Sequence, residues 1–365
     1  ACREGAATPR PAEVSFVVDA SAQRSLADIV SDPSFDGGLA SRPSFGITSA
    51  AVWARVRCRP EGAPPSLLQV DYSQLDDVTV HVRLRDGSFA TMRTGDRMPS
   101  STRLVPHPTF VFPIPERAAS PCEVFVRVRS EGSLIIPIRL WDAPGFLRYD
   151  EAFELGHGAY YAFLLTVVLY NLFVFFGTRD AVYFWYCGYL SMLALFQASV
   201  VGHAQLYLWP EAPGLGHHAS AIAVVLCASA GYAFARRALD VTGWVATVFR
   251  VVGPALLLLV PVLLVDYAVG LRAVAVAVVL SLGFFCVALV RRLRAGSRVE
   301  IYIGLGVLAL LPGGVAMSLR QLGVIPSSFA TDHLLGLGSI VDAVLLSAAL
   351  AERLERFRSS IARSQ

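Results

Sequence analysis

The sequence contains no lysine; all 31 of its basic residues are arginine. That absence removes whole classes of chemistry. A phosphate-binding loop ending in Gly-Lys-Ser/Thr needs the ε-amine, and a retinal pigment needs a lysine to form its Schiff base. A His-Glu-x-x-His zinc motif is also missing. Charge is scarce as well: 16% of residues are charged and 55% are hydrophobic, too apolar for an ordinary soluble protein. No catalytic residue, cofactor or nucleic-acid partner is expected.

The apolar residues that are present are unevenly placed. From Ala1 to about Gly156 they alternate with charge and are broken by Pro and Gly. From His157 to Ala351 they form seven runs, over 157–177, 181–201, 217–235, 246–265, 270–290, 300–319 and 331–351. Each is about 19–21 residues, the length that crosses a hydrocarbon core of about 30 Å. Lipid offers the backbone no hydrogen-bond partner, so runs of this kind must be helices. The expected fold is a membrane protein: an N-terminal all-β sandwich followed by a seven-helix transmembrane bundle.

Arginine sets the orientation. Residues 1–156 hold 17 of the 31, leaving 14 around the helices. With the N-terminal domain outside, the cytoplasmic side receives Arg179, Arg236, Arg237, Arg250, Arg291, Arg292, Arg294, Arg298, Arg353, Arg356, Arg358 and Arg363. The outer loops keep only Arg272 and Arg320. Twelve against two is a strong positive-inside bias. The domain is expected to be exported and the C-terminus cytoplasmic, in a chain expected to be processed or trimmed. Cys2 is either a lipid-modified cysteine or part of a disordered leader.

The expected division is a disordered leader over 1–12, an extracytoplasmic sandwich over 13–143, a linker over 144–156, the bundle over 157–351, and the start of a cytoplasmic signalling helix over 352–365. Within the sandwich, Asp77–Arg85 alternates strictly and is followed by the hairpin signal Asp86-Gly87. Glu13–Asp19, Ala51–Cys58, Glu123–Arg129 and Leu134–Leu140 read as further strands. Even positions are apolar around both Cys58 and Cys122, so both sulfurs point coreward. A disulfide between them and two separate buried thiols are the alternatives. Trp53, Tyr72, Phe89, Phe110, Phe112 and Trp141 fall in or near the core, and no ligand residue is assigned to them.

Tyr160-Tyr161-Ala162, Leu169-Tyr170-Asn171-Leu172-Phe173, Arg179-Asp180, Tyr183-Phe184-Trp185-Tyr186, Phe196-Gln197 and Tyr207-Leu208-Trp209-Pro210 follow one another through the first helices. Asp342 with Leu345–Arg353 closes the last. Together these resemble the bacterial seven-transmembrane receptors with diverse intracellular signalling modules. The soluble segment resembles that family's type 2 extracellular domain, a jelly-roll akin to carbohydrate-binding modules, in Phe45-Gly46, Val52–Arg55 and Phe125–Val128. The resemblance implies a sensory receptor of the bacterial inner membrane with its N-terminal domain in the periplasm. It would bind an extracytoplasmic small molecule, carbohydrate-like or carboxylate, and drive a cytoplasmic signalling module or kinase. A transporter or membrane-assembly protein with a periplasmic cap is the alternative reading. Pro254, Pro261 and Pro312 hint at the broken helices a transporter uses, though no repeat relates the two halves.

Three groups of residues stand out as candidates. Asp342 lies near the centre of the seventh run, where a charge costs at least about 2.5 kcal/mol. It is expected to be protonated or bound to Asn171 or Gln197, as a transmembrane latch. The stripe Ser339, Ala343, Ser347, Ala351 would let another helix approach closely. Leu350, Leu354, Phe357 and Ile361 form an a/d seam that predicts a homodimer or a docked output module. An amphipathic tail lying on the lipid bilayer is the rival. His203, His217 and His218 share one outer loop and are weak metal candidates, with simple solvation as the bland alternative.

Overall fold

The computed structural model describes residues 9–10, 12–37, 44–58, 65–239, 243–293, 298–325 and 328–364. It divides into two compact units. One comprises residues 1–157, 198–219 and 323–327, and the other residues 158–197, 220–322 and 328–365.

The first unit is built on ten strands among the described residues: β1 Ala12–Asp19, β2 Ser44–Ile47, β3 Ala51–Cys58, β4 Leu67–Val70, β5 Asp77–Arg83, β6 Phe89–Thr94, β7 Phe110–Pro113, β8 Glu123–Arg129, β9 Ser133–Ile135 and β10 Ile138–Trp141. A five-stranded antiparallel sheet runs β1-β3-β8-β5-β6, a three-stranded sheet runs β10-β4-β7, and β2 pairs with β9. Register explains the core. Val52 faces Val128, Ala54 faces Val126 and Val56 faces Val124, while β5 sets Val80 opposite Val126. Because the side-chain period is two, one register puts every even residue of these strands on a single face. That face packs against Leu68, Val70, Phe110, Phe112 and Leu140 of the second sheet. Each such side chain contributes about 1.5–3 kcal/mol by burial.

The opposite face of the large sheet has its own small core. Val17, Trp53 and Phe125 are covered by Ile29 and Phe35. Ile29 comes from a short helix, α1 Leu26–Val30, whose start is fixed by a capping box between Ser25 and Asp28.

Three boundaries differ from the sequence reading. The span 134–140 is two strands, because Pro137 offers no N–H and separates β9 from β10. The leader over 1–12 falls outside the described residues except at positions 9, 10 and 12. There the chain is ordered: the Arg10 N–H donates to Leu140 O at 2.7 Å, its guanidinium pairs with Asp142 at 2.7 Å, and Ala12 opens β1. The linker over 144–156 is helical. Helix α2, Ala143–Thr178, begins at a cap in which Asp142 Oδ1 accepts from the Gly145 N–H at 2.8 Å, and Pro144 sits in its first turn, where it loses no hydrogen bond.

The other helices are α3 Ala181–Val201, α4 His203–Tyr207, α5 Pro213–Ala238, α6 Gly243–Leu256, α7 Leu259–Val265, α8 Tyr267–Leu293, α9 Arg298–Gln321 and α10 Phe329–Ser364. Among the described residues, seven spans have the length and mean hydropathy, 1.4–2.5, to cross a membrane. The fourth is α6 and α7 together. Pro254 leaves that helix irregular, and it breaks at Leu257-Leu258 before resuming. The second unit exposes large apolar side chains, among them Leu165, Leu169, Phe173, Leu258, Val265 and Leu280. A surface of this kind is stable against lipid tails and not against water.

Candidate functional site

In the first unit the outer loop around α4 packs on the sandwich. Ser73 Oγ donates to Val200 O at 2.7 Å, the Ser100 N–H donates to Pro210 O at 2.7 Å, and Ser100 Oγ donates to Gln205 O at 3.2 Å. Gly202 adopts φ 102°, a left-handed conformation that suits glycine, and a Cβ there would lie 2.8 Å from the Ser73 Cβ. Trp209-Pro210 therefore belongs to a docked segment of this unit.

Two polar clusters occupy that docking surface. His217 is buried, with Nδ1 3.6 Å from Asp76 and 3.8 Å from Asp96. Asp76 is held by Ser130 Oγ and the Glu131 N–H, each at 3.0 Å. Burial and the neighbouring Asp96 push the Asp76 carboxyl above the usual carboxylate range. Asp76, Glu131 and His217 present donor atoms within 4.8 Å of one another, which is metal-ligand spacing. Arg97 already stands there as a cation, forked on Glu131 at 3.0 and 2.7 Å and 3.6 Å from Asp76. His218 is half-buried beside His217, with ring centroids 4.8 Å apart, and its Nδ1 bonds Gly214 O of its own helix at 3.1 Å. His203 lies elsewhere, 3.2 Å from Glu154 and stacked on Phe153. The structure thus does not gather His203, His217 and His218 into one site.

Beside His203 is His107, which sequence reasoning passed over. Its Nδ1 accepts from the Thr109 N–H at 3.0 Å, and Nε2 faces Asp150 Oδ1 at 3.2 Å. Burial pushes both His107 and His203 down to about 4, so both are neutral at pH 7. Arg103, driven down to about 10 by burial, donates to His107 O at 2.6 Å and to Pro108 O at 3.0 Å. Cys58 and Cys122 are joined as a disulfide within the main core, with their Cα atoms 5.2 Å apart.

In the second unit the polar contacts of α10 form a ladder. Tyr189 OH donates to Asp342 Oδ2 at 2.7 Å. Tyr186 OH donates to Ala343 O at 2.8 Å and pairs with Ser347 Oγ at 3.0 Å, and Tyr183 OH donates to Leu350 O at 3.3 Å. The three tyrosines are three residues apart on α3 and so lie along one helix face. Tyr160 of α2 adds a contact to Ser339 at 2.9 Å. The small-residue stripe on α10 is what lets these rings in. Asp342 is 1% exposed, and Gly306 of α9 leaves room for it: a Cβ there would lie 2.6 Å from Oδ1.

The partner expected for Asp342 was different. Asn171 is buried but donates to Val167 O of its own helix at 2.8 Å, and Gln197 Nε2 lies against Gly336, six residues before Asp342. Neither bonds Asp342, because a tyrosine reaches the carboxyl from α3. The repeat Tyr183, Tyr186, Tyr189 was the available signal. At the far end, Arg353 donates to Arg237 O at 2.7 Å and lies 3.7 Å from Asp180, a cation on the carbonyl end of α5. Leu350 is buried inside its own unit, so the first seam position is already occupied. The side chains of Phe357 and Ile361 lie outside the described residues.

A family model described as 7TM diverse intracellular signalling matches residues 153–353, and one described as 7TMR-DISM extracellular 2 matches residues 11–142. The chain belongs to the 7TM diverse intracellular signalling family. No curated protein matches it. As a 7TM diverse intracellular signalling protein it is a membrane sensory receptor, with an extracellular β-sandwich and a seven-helix part. The tyrosine ladder, Asp342 and Arg353 all lie within the seven-helix match.

Proposed function

We propose that this receptor sits in the bacterial inner membrane with its sandwich, about residues 13–143, in the periplasm and its C-terminus in the cytoplasm. The sandwich binds a small molecule, carbohydrate-like or carboxylate, and α10 passes the change to a cytoplasmic signalling module or kinase. The tyrosine ladder carries this reading. Its contacts lie in series on one pair of helices, so α10 cannot slide or turn against α3 without breaking them as a set. Contacts that hold or break together are what a two-state relay requires. The arginine asymmetry of twelve against two supports the orientation. A transporter would use paired discontinuous helices, whereas only the fourth span is broken among the described residues.

The unbroken α10, continuing to Ser364, supports a signalling helix that pairs with a second copy through Leu354, Phe357 and Ile361. Full-length receptor in nanodiscs, screened against mono- and disaccharides and small carboxylates, should show at least one ligand that raises Tm. The same ligand should change disulfide crosslinking between copies carrying single cysteines at 354, 357 and 361. A ligand that stabilises the protein without altering the crosslinks would contradict the relay. A flat crosslinking profile across the helix would contradict the dimer.

A further inference from the structure

The bundle holds a cavity of about 190 Å³ between α3, α5, α8, α9 and α10. It is larger than the roughly 150 Å³ engineered cavity that stays dry and takes up benzene. Its walls are mostly carbon, with aromatic rings from Phe196, Tyr232, Phe234 and Phe285. Asp342 stands on the same wall. Its Oδ2 is satisfied by Tyr189, but Oδ1 receives no hydrogen bond among the described residues. A carboxyl oxygen left without a donor among apolar walls carries the penalty of an unmade hydrogen bond, and an occupant that supplies the donor removes it.

The walls narrow the choice of occupant. No arginine lines the cavity, so nothing would balance an anion. A cation would have to be stripped of water in a carbon-walled space, and the attraction to one carboxyl offsets that cost poorly. A neutral molecule remains. The volume fits one or two fused rings, the aromatic walls favour edge and face contacts with a flat ring, and Oδ1 asks for a single donor. We infer that this cavity is a binding site, within the membrane, for a neutral aromatic molecule carrying one N–H or O–H that donates to Asp342 Oδ1. It is an input separate from the periplasmic ligand, and it does not depend on what the sandwich binds.

Indole and phenol are suitable probes, with toluene as the probe that lacks a donor. Fluoroindole binding to the full-length receptor in nanodiscs can be followed by ¹⁹F NMR against empty nanodiscs, which measure partition into lipid. The receptor should show a saturable component, displaced by phenol and at least tenfold less well by toluene. Asp342→Leu should weaken binding at least tenfold, whereas Asp342→Asn, whose carbonyl can face the cavity while its amide N–H donates to the Tyr189 hydroxyl, should stay within about threefold of the parent. Ala275→Phe, which fills the cavity from α8, should abolish the saturable component. It also tests the site independently should Asp342→Leu fail to fold. Binding no greater than in empty nanodiscs, equal displacement by toluene and phenol, or full binding by a folded Ala275→Phe receptor would each overturn the inference.

Discussion

His107 offers a perturbation whose size follows from its surroundings. The ring is buried, and its Nδ1 lone pair is taken by the Thr109 N–H. The neutral tautomer therefore carries its proton on Nε2, facing Asp150. Charging the ring means giving up the Thr109 bond and burying a cation beside Arg103, and burial holds the imidazole at about 4 against 6.5 in the unfolded chain. The unfolded state binds the extra proton between those values. Stability from this residue is thus complete above pH 6.5 and is lost as pH falls toward 4. Going from pH 8 to pH 5 should cost about 2 kcal/mol, or about 4–8 °C in Tm for a unit of this size. His203, also held at about 4, acts in the same direction. Asp76, raised above its ordinary value, acts in the opposite one, gaining stability as pH falls.

The readout is accordingly a difference between two proteins. His107→Asn places an amide oxygen where Nδ1 accepts, and it does not titrate. Melting of the detergent-solubilised receptor can be followed by tryptophan fluorescence, since Trp53 and Trp141 are buried in the sandwich unit. The drop in Tm between pH 8 and pH 5 should be about 4–8 °C smaller in the variant. Equal drops in the two proteins would refute the assignment of a buried neutral imidazole.

Two other perturbations address the core and the ladder. Replacing Cys58 and Cys122 by serine removes a crosslink that closes a 64-residue separation, and chain entropy alone predicts a loss of about 4 kcal/mol, read as the shift in denaturant midpoint of the sandwich. A shift below about 1 kcal/mol would mean the unfolded chain is already compact there. Tyr189→Phe leaves Asp342 without its donor and should lower bundle stability by about 1–2 kcal/mol. The double variant with Asp342→Asn should recover part of that loss, and strict additivity would show that the two side chains are not coupled.

The sandwich was legible where alternation was strict. Asp77–Arg83 and Glu123–Arg129 announce themselves because every even residue is a buried valine and, Phe125 apart, the odd ones are polar or charged. Strands β4 and β7 were missed. They are four residues long, apolar at nearly every position and without a period to read. The spans were legible because lipid forces long apolar runs into helices, and their edges held to within four residues except at two ends. Helix α2 begins at the Asp142 cap and runs through polar residues that hydropathy reads as a linker, and α10 continues to Ser364. The buried carboxyl at 342 was visible as an expensive residue, but its partner was not. Spacing along a helix shows which residues share a face and not which helix that face meets. The pairing of His217 with Asp76 and of His107 with Asp150 joins segments 141 and 43 residues apart, and no local pattern encodes it.

The proposed topology puts the sandwich outside the cell membrane and the end of α10 inside it. Single cysteines at Asp86, exposed at a hairpin tip, and at Glu355, exposed on the last turns of α10, test this in one experiment. With a membrane-impermeant maleimide on intact spheroplasts, position 86 should label fully and position 355 only after permeabilisation. Labelling of both positions from outside, or of 355 alone, would contradict the account.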